Sequence, residues 1–243
     1  MPKFYVPNPN IKNGILKIDG SEARHIKKTF RLRPGDWIVV FDGSGKDYEG
    51  VILEEKGSSV LINVKNIYTS NKEPTIEIIL AQSLLKGEKM DYLIQKAVEL
   101  GVKEIIPFIS SRSIPIYDEV KSNRRQTRWT KISIEASKQC GRGFVPEIKS
   151  IKTYSEMLNS SSPEFLNLIL WEKEGFKLRE ILERKNEKIF FIVGPEGGFS
   201  NEEVEEAKAK GFIPINLGKR ILRSETASIC VISILQYEWG DIG

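Results

Sequence analysis

Two glycine-bearing stretches of this chain have the residue types to hold a small molecule by main-chain contacts: Gly194-Pro-Glu-Gly-Gly-Phe-Ser200 and Leu217-Gly-Lys-Arg-Ile-Leu-Arg-Ser-Glu-Thr-Ala227. Glycine tolerates positive φ and leaves its amides bare, so a ligand can approach the backbone closely. Each stretch follows a short strand-like run, Ile189 to Val193 and Ile213 to Leu217. The first of these is unbroken and apolar, as a buried parallel strand would be. Open α/β sheets bind ligands beyond the carboxyl ends of their strands, so two adjacent loops of this kind would face one crevice. After the first loop, Ser200 and Glu203 form a capping box, and Glu202, Glu203, Glu205 and Glu206 crowd the start of the next helix. A helix start already occupied by carboxylates is a poor diphosphate site, so the expected ligand is not a polyphosphate.

Other chemistries lack their residues. Asp42-Gly-Ser-Gly-Lys46 hints at a phosphate-binding loop, but the early glycine falls at Val40 and the metal-binding hydroxyl at Asp47, so it reads as a hairpin turn. The single histidine, His25, leaves no His-rich metal site, and no Gly-x-Gly-x-x-Gly follows a strand. Cys140 and Cys230 stand far apart and outside any Cys-x-x-Cys, which suits reduced structural thiols. The site is expected to work without metal.

The elements that must position these loops divide at Thr69 to Pro74, a polar turn-forming stretch. Before it, extended runs (Lys3 to Val6, Ile15 to Ile18, Trp37 to Phe41, Gly50 to Leu53, Ser59 to Val64) alternate with turns and predict a small β-barrel or sandwich. After it, strands at Ile76 to Leu80, Glu104 to Phe108 and Phe165 to Leu170 alternate with helices at Met90 to Leu100, Arg128 to Cys140 and Leu178 to Glu183. That alternation predicts an α/β domain with a mainly parallel sheet, giving domains 1–71 and 72–243.

At 243 residues, 40% hydrophobic and 29% charged, the chain has the composition of a soluble globular protein. No apolar run approaches the roughly 20 residues of a membrane span, and Met-Pro-Lys-Phe-Tyr has no signal-peptide character, so a cytoplasmic protein without membrane contact is expected. The net charge is only +4, yet the segment from Arg112 to Arg142 alone carries eight basic and three acidic residues. A second basic cluster, Arg24, Lys27, Lys28 and Arg31, has the spacing of one helix face. Two such patches point to a polyanionic partner, of which nucleic acid is the usual one.

The motifs His25-Ile-Lys-Lys-Thr-Phe-Arg-Leu-Arg-Pro-Gly-Asp36, Lys86-Gly-Glu-Lys-Met-Asp91, Gln95-Lys-Ala-Val-Glu-Leu-Gly101, Glu135-Ala-Ser-Lys-Gln-Cys-Gly-Arg142, Gly194-Pro-Glu-Gly-Gly198 and Ile221-Leu-Arg-Ser-Glu-Thr-Ala227 occur in this order over nearly the whole chain. Together with Arg112-Ser113 they make it resemble the bacterial small-subunit ribosomal RNA (uracil-N3)-methyltransferases of the SPOUT superfamily. Two positions depart from the family pattern without changing charge: Ser224, where threonine is usual, and Cys140, where serine is common.

The resemblance implies a PUA-like β-barrel followed by a SPOUT α/β domain with a C-terminal trefoil knot, and a homodimer acting on ribosomal RNA of the small subunit. It implies S-adenosylmethionine as cofactor, held by Leu170, Gly194, Gly198, Leu217, Gly218, Ile221, Leu222, Thr226 and Ala227. A sulfonium carries no phosphate, which agrees with the acidic surroundings of the first loop. Methylating N3 of uracil requires loss of a proton whose pKa lies about two units above neutrality, roughly 1.4 kcal/mol per unit. Arg223 is expected to stabilise the charge developing on a carbonyl oxygen, and Glu196 or Glu225 to accept the proton. Arg112, Gln139 and Arg142 are candidates for RNA or the flipped base, beside Arg24, Lys27, Lys28 and Arg31. Ile229, Val231, Ile232, Ile234, Leu235, Tyr237 and Trp239 are too many apolar residues for one buried stripe, so this helix could pack on its own core and on a partner. The alternatives are another SPOUT enzyme, acting on a ribose 2′-OH or a different base, and a noncatalytic RNA-binding assembly factor.

Overall fold

Short strands that alternate buried and exposed residues build the N-terminal part of the computed structural model, which describes residues 1–113 and 118–243. The chain divides into one unit of residues 1–73 with 137–145, and a second of residues 74–136 with 146–243.

The first unit contains β1 (Lys3–Tyr5), β2 (Ile11–Lys12), β3 (Ile15–Ile18), α1 (Gly20–Arg24), β4 (Trp37–Phe41), β5 (Lys46–Lys56) and β6 (Ser59–Thr69). Its strands pair in the order β1-β4-β5-β6-β3-β2, antiparallel except for β1 beside β4. In β3, Leu16 and Ile18 are buried while Ile15 and Lys17 face out, the period of two that a one-faced strand requires. Phe4, Leu16, Ile18, Ile26, Ile38, Val40, Ile52, Val60 and Ile62 form the core. Register shifts at Glu49/Gly50 and Ile52/Glu54 bend the long β5–β6 pair. At Gly50 a Cβ would lie 2.5 Å from the Asn63 carbonyl oxygen, so only glycine fits that bend.

The basic cluster near residue 25 does not form the single helical face its spacing suggests. α1 gives way to a π-helical turn over His25–Thr29, where Phe30 N–H bonds His25 O at 3.0 Å, and Arg31 has φ +53. The wider turn and the left-handed residue break the i, i+3, i+4, i+7 alignment. Lys27 is further withdrawn, donating to Gly57 O at 2.7 Å, whereas Arg24, Lys28 and Arg31 stay exposed.

Residues 137–145 join this unit through contacts that no local pattern announces. Glu73 accepts from Arg142 Nε at 3.0 Å and Nη2 at 2.8 Å, and from the amides of Gly143 and Phe144 at 3.0 Å each. Lys3 bonds Gly141 O at 2.9 Å, and Gly45 N–H bonds Gly143 O at 3.1 Å.

The second unit contains β7 (Glu77–Ser83), α2 (Lys89–Glu99), β8 (Glu104–Ile109), α3 (Glu119–Cys140, its last residues counted in the first unit), β9 (Glu147–Ile148), β10 (Lys152–Thr153) and α4 (Tyr154–Leu158). β11 (Leu166–Leu170), β12 (Phe176–Lys177), α5 (Leu178–Ile181), β13 (Lys188–Val193), α6 (Asn201–Ala209), β14 (Ile213–Asn216) and α7 (Ser224–Glu238) follow. The strands pair in the order β10-β8-β7-β13-β11-β14-β12, with β9 on β8, and every pairing is parallel. Apolar residues alternate between two cores: Ile189, Phe191 and Val193 of β13 pack in a cluster with α2 and α7, Phe190 and Ile192 in one with α4 and α6. Because all strands run the same way, β7, β8, β11, β13 and β14 end on one edge of the sheet, where both glycine loops emerge. Among the described residues, no helix is long and apolar enough to cross a membrane.

Candidate active site at the strand ends

A cavity of about 400 Å³ opens at that edge. Its walls come from the ends of β11 (Leu170), β13 (Val193) and β14 (Ile215, Asn216), from the two loops, and from the first turn of α7. Of the expected site residues, Leu170, Gly194, Glu196, Gly198, Leu217, Gly218, Ile221, Leu222, Arg223 and Ala227 line it. Glu225 and Thr226 do not. Successive helical residues point about 100° apart, so Ser224 and Ala227 face the cavity while the two residues between them turn aside. Thr226 is exposed, and Glu225 is buried with an Oε2 that has no hydrogen-bond partner.

The first loop needs its glycines. Gly198 has φ +66, and a Cβ there would stand 2.9 Å from Glu172 Oε1. At Gly194 a Cβ would meet the Phe199 ring at 3.1 Å. The two loops are then tied together by a buried chain of hydrogen bonds with one direction. Ser228 Oγ donates to Gln82 Oε1 at 2.7 Å, Gln82 Nε2 donates to Ser224 Oγ at 2.9 Å, and Ser224 Oγ donates to Gly194 O at 2.6 Å. Gln82 and Ser228 were missed by sequence reasoning. The available signal was a glutamine closing the apolar run of β7, since a buried amide must find partners.

A second brace holds the far side of the first loop. Arg112 Nη1 donates to Gly197 O at 3.0 Å and to Phe199 O at 3.3 Å. Glu203 accepts from Ser111 N at 2.8 Å, Ser111 Oγ at 2.9 Å and Ser200 N at 2.9 Å, besides completing the helix cap. Behind it, Ser83, Ser110 and Ser113 close a triangle of hydroxyls with sides of 2.8 to 3.1 Å at the ends of β7 and β8. Arg112 thus clamps the cavity loop. Arg142, only 4% exposed, is bound by Glu73 inside the first unit, whereas Gln139 is exposed.

The charged residues at the cavity differ in what they are free to do. Partial burial pushes the Glu196 carboxyl up, but the Lys89 ammonium at 2.9 Å and backbone amides outweigh it and hold the group below its ordinary value. Such a carboxylate anchors a loop better than it accepts a proton. Arg223 stands exposed at the N-cap position of α7, and its side chain makes no hydrogen bond or ion pair among the described residues.

A family model for an RNA methyltransferase domain matches residues 71–236, and one for an RNA methyltransferase PUA domain matches residues 18–65. The ribosomal RNA small subunit methyltransferase E of Buchnera aphidicola subsp. Schizaphis graminum is 31% identical over 242 residues, covering 100% of this chain and 98% of that one. Its counterpart from Aquifex aeolicus is 37% identical, covering 92% of this chain and 95% of that one. The crystal structure of a ribosomal RNA small subunit methyltransferase E from Neisseria gonorrhoeae bound to S-adenosyl methionine superposes with a TM-score of 0.91 at 36% identity, covering 100% of both chains.

Proposed function

The chain belongs to the ribosomal RNA small subunit methyltransferase E family, and from that membership we propose that it methylates N3 of a uridine in small-subunit ribosomal RNA with S-adenosylmethionine as donor. The observation that carries this reading is the cavity held between two clasped glycine loops. Its volume, about 400 Å³, lies within the range of small-molecule sites, ~300 to 1,000 Å³. Leu170, Leu217, Leu222 and Ala227 offer apolar walls, Gly194, Gly198 and Gly218 offer open backbone, and Glu172 and Glu196 suit a cationic ligand. That donor set fits S-adenosylmethionine. When bound, the cofactor supplies an electrophilic methyl group on a sulfonium sulfur.

The protein's own part is to favour the ionised base. Arg223, at the cavity wall and without an internal counter-charge, stabilises negative charge on a uracil carbonyl and so lowers the cost of losing the N3 proton. Glu196 keeps the first loop in place through Lys89, and water receives the proton. The exposed cations Arg24, Lys28 and Arg31 of the PUA domain, and Gln139, contact RNA in this reading.

The same reading includes a trefoil knot, supported by α7 starting in the clasp on Gly194 and then packing against α2. It includes closure of the first sheet into a PUA-like barrel, supported by the bulges that bend β5 and β6. A homodimer is supported by apolar side chains left bare on and beside α7, Ile221 at 85% and Tyr237 at 67% exposed. Cys140 and Cys230, as reduced thiols, suit a reducing cytoplasm.

The test is to incubate the protein with labelled S-adenosylmethionine and small ribosomal subunits or their RNA, and to identify the labelled nucleoside by mass spectrometry. 3-Methyluridine is the expected product. A different methylated nucleoside would keep the cofactor and overturn the base assignment.

A further inference from the structure

The packing of α3 turns one cationic face of the second unit away from its core. Trp129 is buried and its Nε1 donates to Asp91 Oδ1 at 3.0 Å, Gln126 Nε2 donates to Ile148 O at 3.0 Å, and Ser133 Oγ donates to Pro146 O at 2.9 Å. Positions 126, 129 and 133 lie on one side of a helix, so these contacts fix its rotation. Lys121, Arg124, Arg125 and Arg128, spaced i, i+3, i+4 and i+7, share another side and line a shallow concavity of about 320 Å³. Among the described residues, no apolar or acidic side chain lines it. Asp118 lies 3.4 Å from the Lys121 ammonium and Asp91 accepts from Arg128 Nε at 2.7 Å, but both carboxylates lie outside the concavity. Arg124 is exposed, and its side chain makes no hydrogen bond or ion pair among the described residues.

We propose that this face of α3 is a docking surface for the RNA backbone, taking phosphate groups remote from the reacting nucleotide. The proposal rests on the RNA substrate assigned above. Neighbouring cations stand about 5–6 Å apart on such a face, and guanidinium forks match phosphate oxygens in geometry as well as charge. Phosphate contacts fix register and orientation without reading sequence. The face therefore adds affinity and position, not choice of base. The sequence count had marked this segment as basic; the contacts at 126, 129 and 133 decide which of its cations stand together.

The experiment compares the full-length protein with Lys121→Gln/Arg124→Gln, both sites being exposed, in binding protein-free small-subunit ribosomal RNA over a series of salt concentrations. Each lost phosphate contact lowers the slope of log K against log salt by about 0.7 to 0.9, so the double variant is expected to lose about 1.4 to 1.8. At 0.1 M salt that corresponds to a loss of affinity on the order of 30-fold. An unrelated RNA should lose as much, and calorimetric affinity for S-adenosylmethionine should not change. An unchanged slope, with the parent protein still binding RNA and forming its methylated product, would overturn the docking surface alone and leave an acidic protein as the partner to seek. Absence of both RNA binding and methyl transfer in the parent protein would overturn this proposal and the assigned substrate together.

Discussion

Ser224 Oγ donates to Gly194 O across 2.6 Å, joining residues thirty positions apart and closing one glycine loop against the other. The hydroxyl can point only that way, because Gln82 Nε2 occupies its acceptor side at 2.9 Å, and Ser228 in turn fixes the orientation of the Gln82 amide. These hydrogen bonds hold the stretch of cavity wall that Gly194 and Ser224 line.

Replacing Ser224 by alanine removes one hydrogen bond from each of two buried groups, leaving Gly194 O with the 3.5 Å contact from Gln82 Nε2 and Gln82 Nε2 with Ser83 O at 3.0 Å. A loss of about 1–3 kcal/mol in urea denaturation is expected, with weaker calorimetric binding of S-adenosylmethionine. Ser224→Thr keeps the hydroxyl and should retain both. Equal behaviour of the alanine and threonine variants would show that the clasp has no part in cofactor binding.

Arg223→Ala removes a side chain with no internal hydrogen bond or ion pair, so stability should stay within about 0.5 kcal/mol of the parent protein. Single-turnover methyl transfer should fall by about 10²–10³, the usual effect of removing one stabiliser of developing negative charge. If the variant transfers methyl at the parent rate with the same cofactor affinity, the electrostatic role assigned to Arg223 is wrong.

The pH dependence separates loop anchor from proton acceptor. Glu196 lies below the ordinary carboxylate value of 4.5, so its tie to Lys89 is complete above that value and is lost only as pH falls through the lowered one. The brace is therefore constant across the neutral and mildly alkaline range. There the single-turnover rate should rise about tenfold per pH unit towards the uracil pKa, about two units above neutrality. Glu196→Gln should keep that slope. A pH-independent rate in the parent protein that becomes pH-dependent in Glu196→Gln, at unchanged cofactor affinity, would make Glu196 the base.

Gly198→Ala puts a Cβ on a residue with φ +66, 2.9 Å from Glu172 Oε1. Left-handed backbone costs a non-glycine residue about 1–2 kcal/mol, and the Glu172 side chain must move as well. Reduced thermal stability and reduced S-adenosylmethionine affinity are expected together; the same substitution at Gly57, where φ is +60 and no atom lies within 4 Å, should lower stability without touching cofactor affinity.

Arg112 offers a choice between two roles. As a clamp on Gly197 O and Phe199 O, its replacement by alanine should weaken cofactor binding in the absence of RNA and leave the salt slope of RNA binding unchanged. A slope lowered by about 0.7 to 0.9, with cofactor affinity intact, would make it a phosphate contact instead.

The sequence by itself determined what depends on local residue type. Strand and helix periods, the Ser200/Glu203 cap and the glycines at the ends of β13 and β14 are written in neighbouring residues, because backbone preference and capping act over a few positions. Ten of the expected site residues line the cavity for that reason: they sit on the two loops, at the end of a parallel strand or, for Ala227, in the first turn of α7. What only the tertiary structure decided are the partners drawn from distant parts of the chain. Arg112 and Arg142 carry the same charge in the sequence, yet one bonds the carbonyls of the glycine loop and the other is enclosed with Glu73. Gln82 became the hub of the clasp because parallel pairing sets it beside Val193, immediately before Gly194. Glu225 and Thr226 do not line the cavity because helical rotation turns them from the side that Ser224 and Ala227 share. A charge or an amide in a sequence states what a residue can bind; which group it meets is fixed only when strand pairing and helix packing bring that group within hydrogen-bond reach.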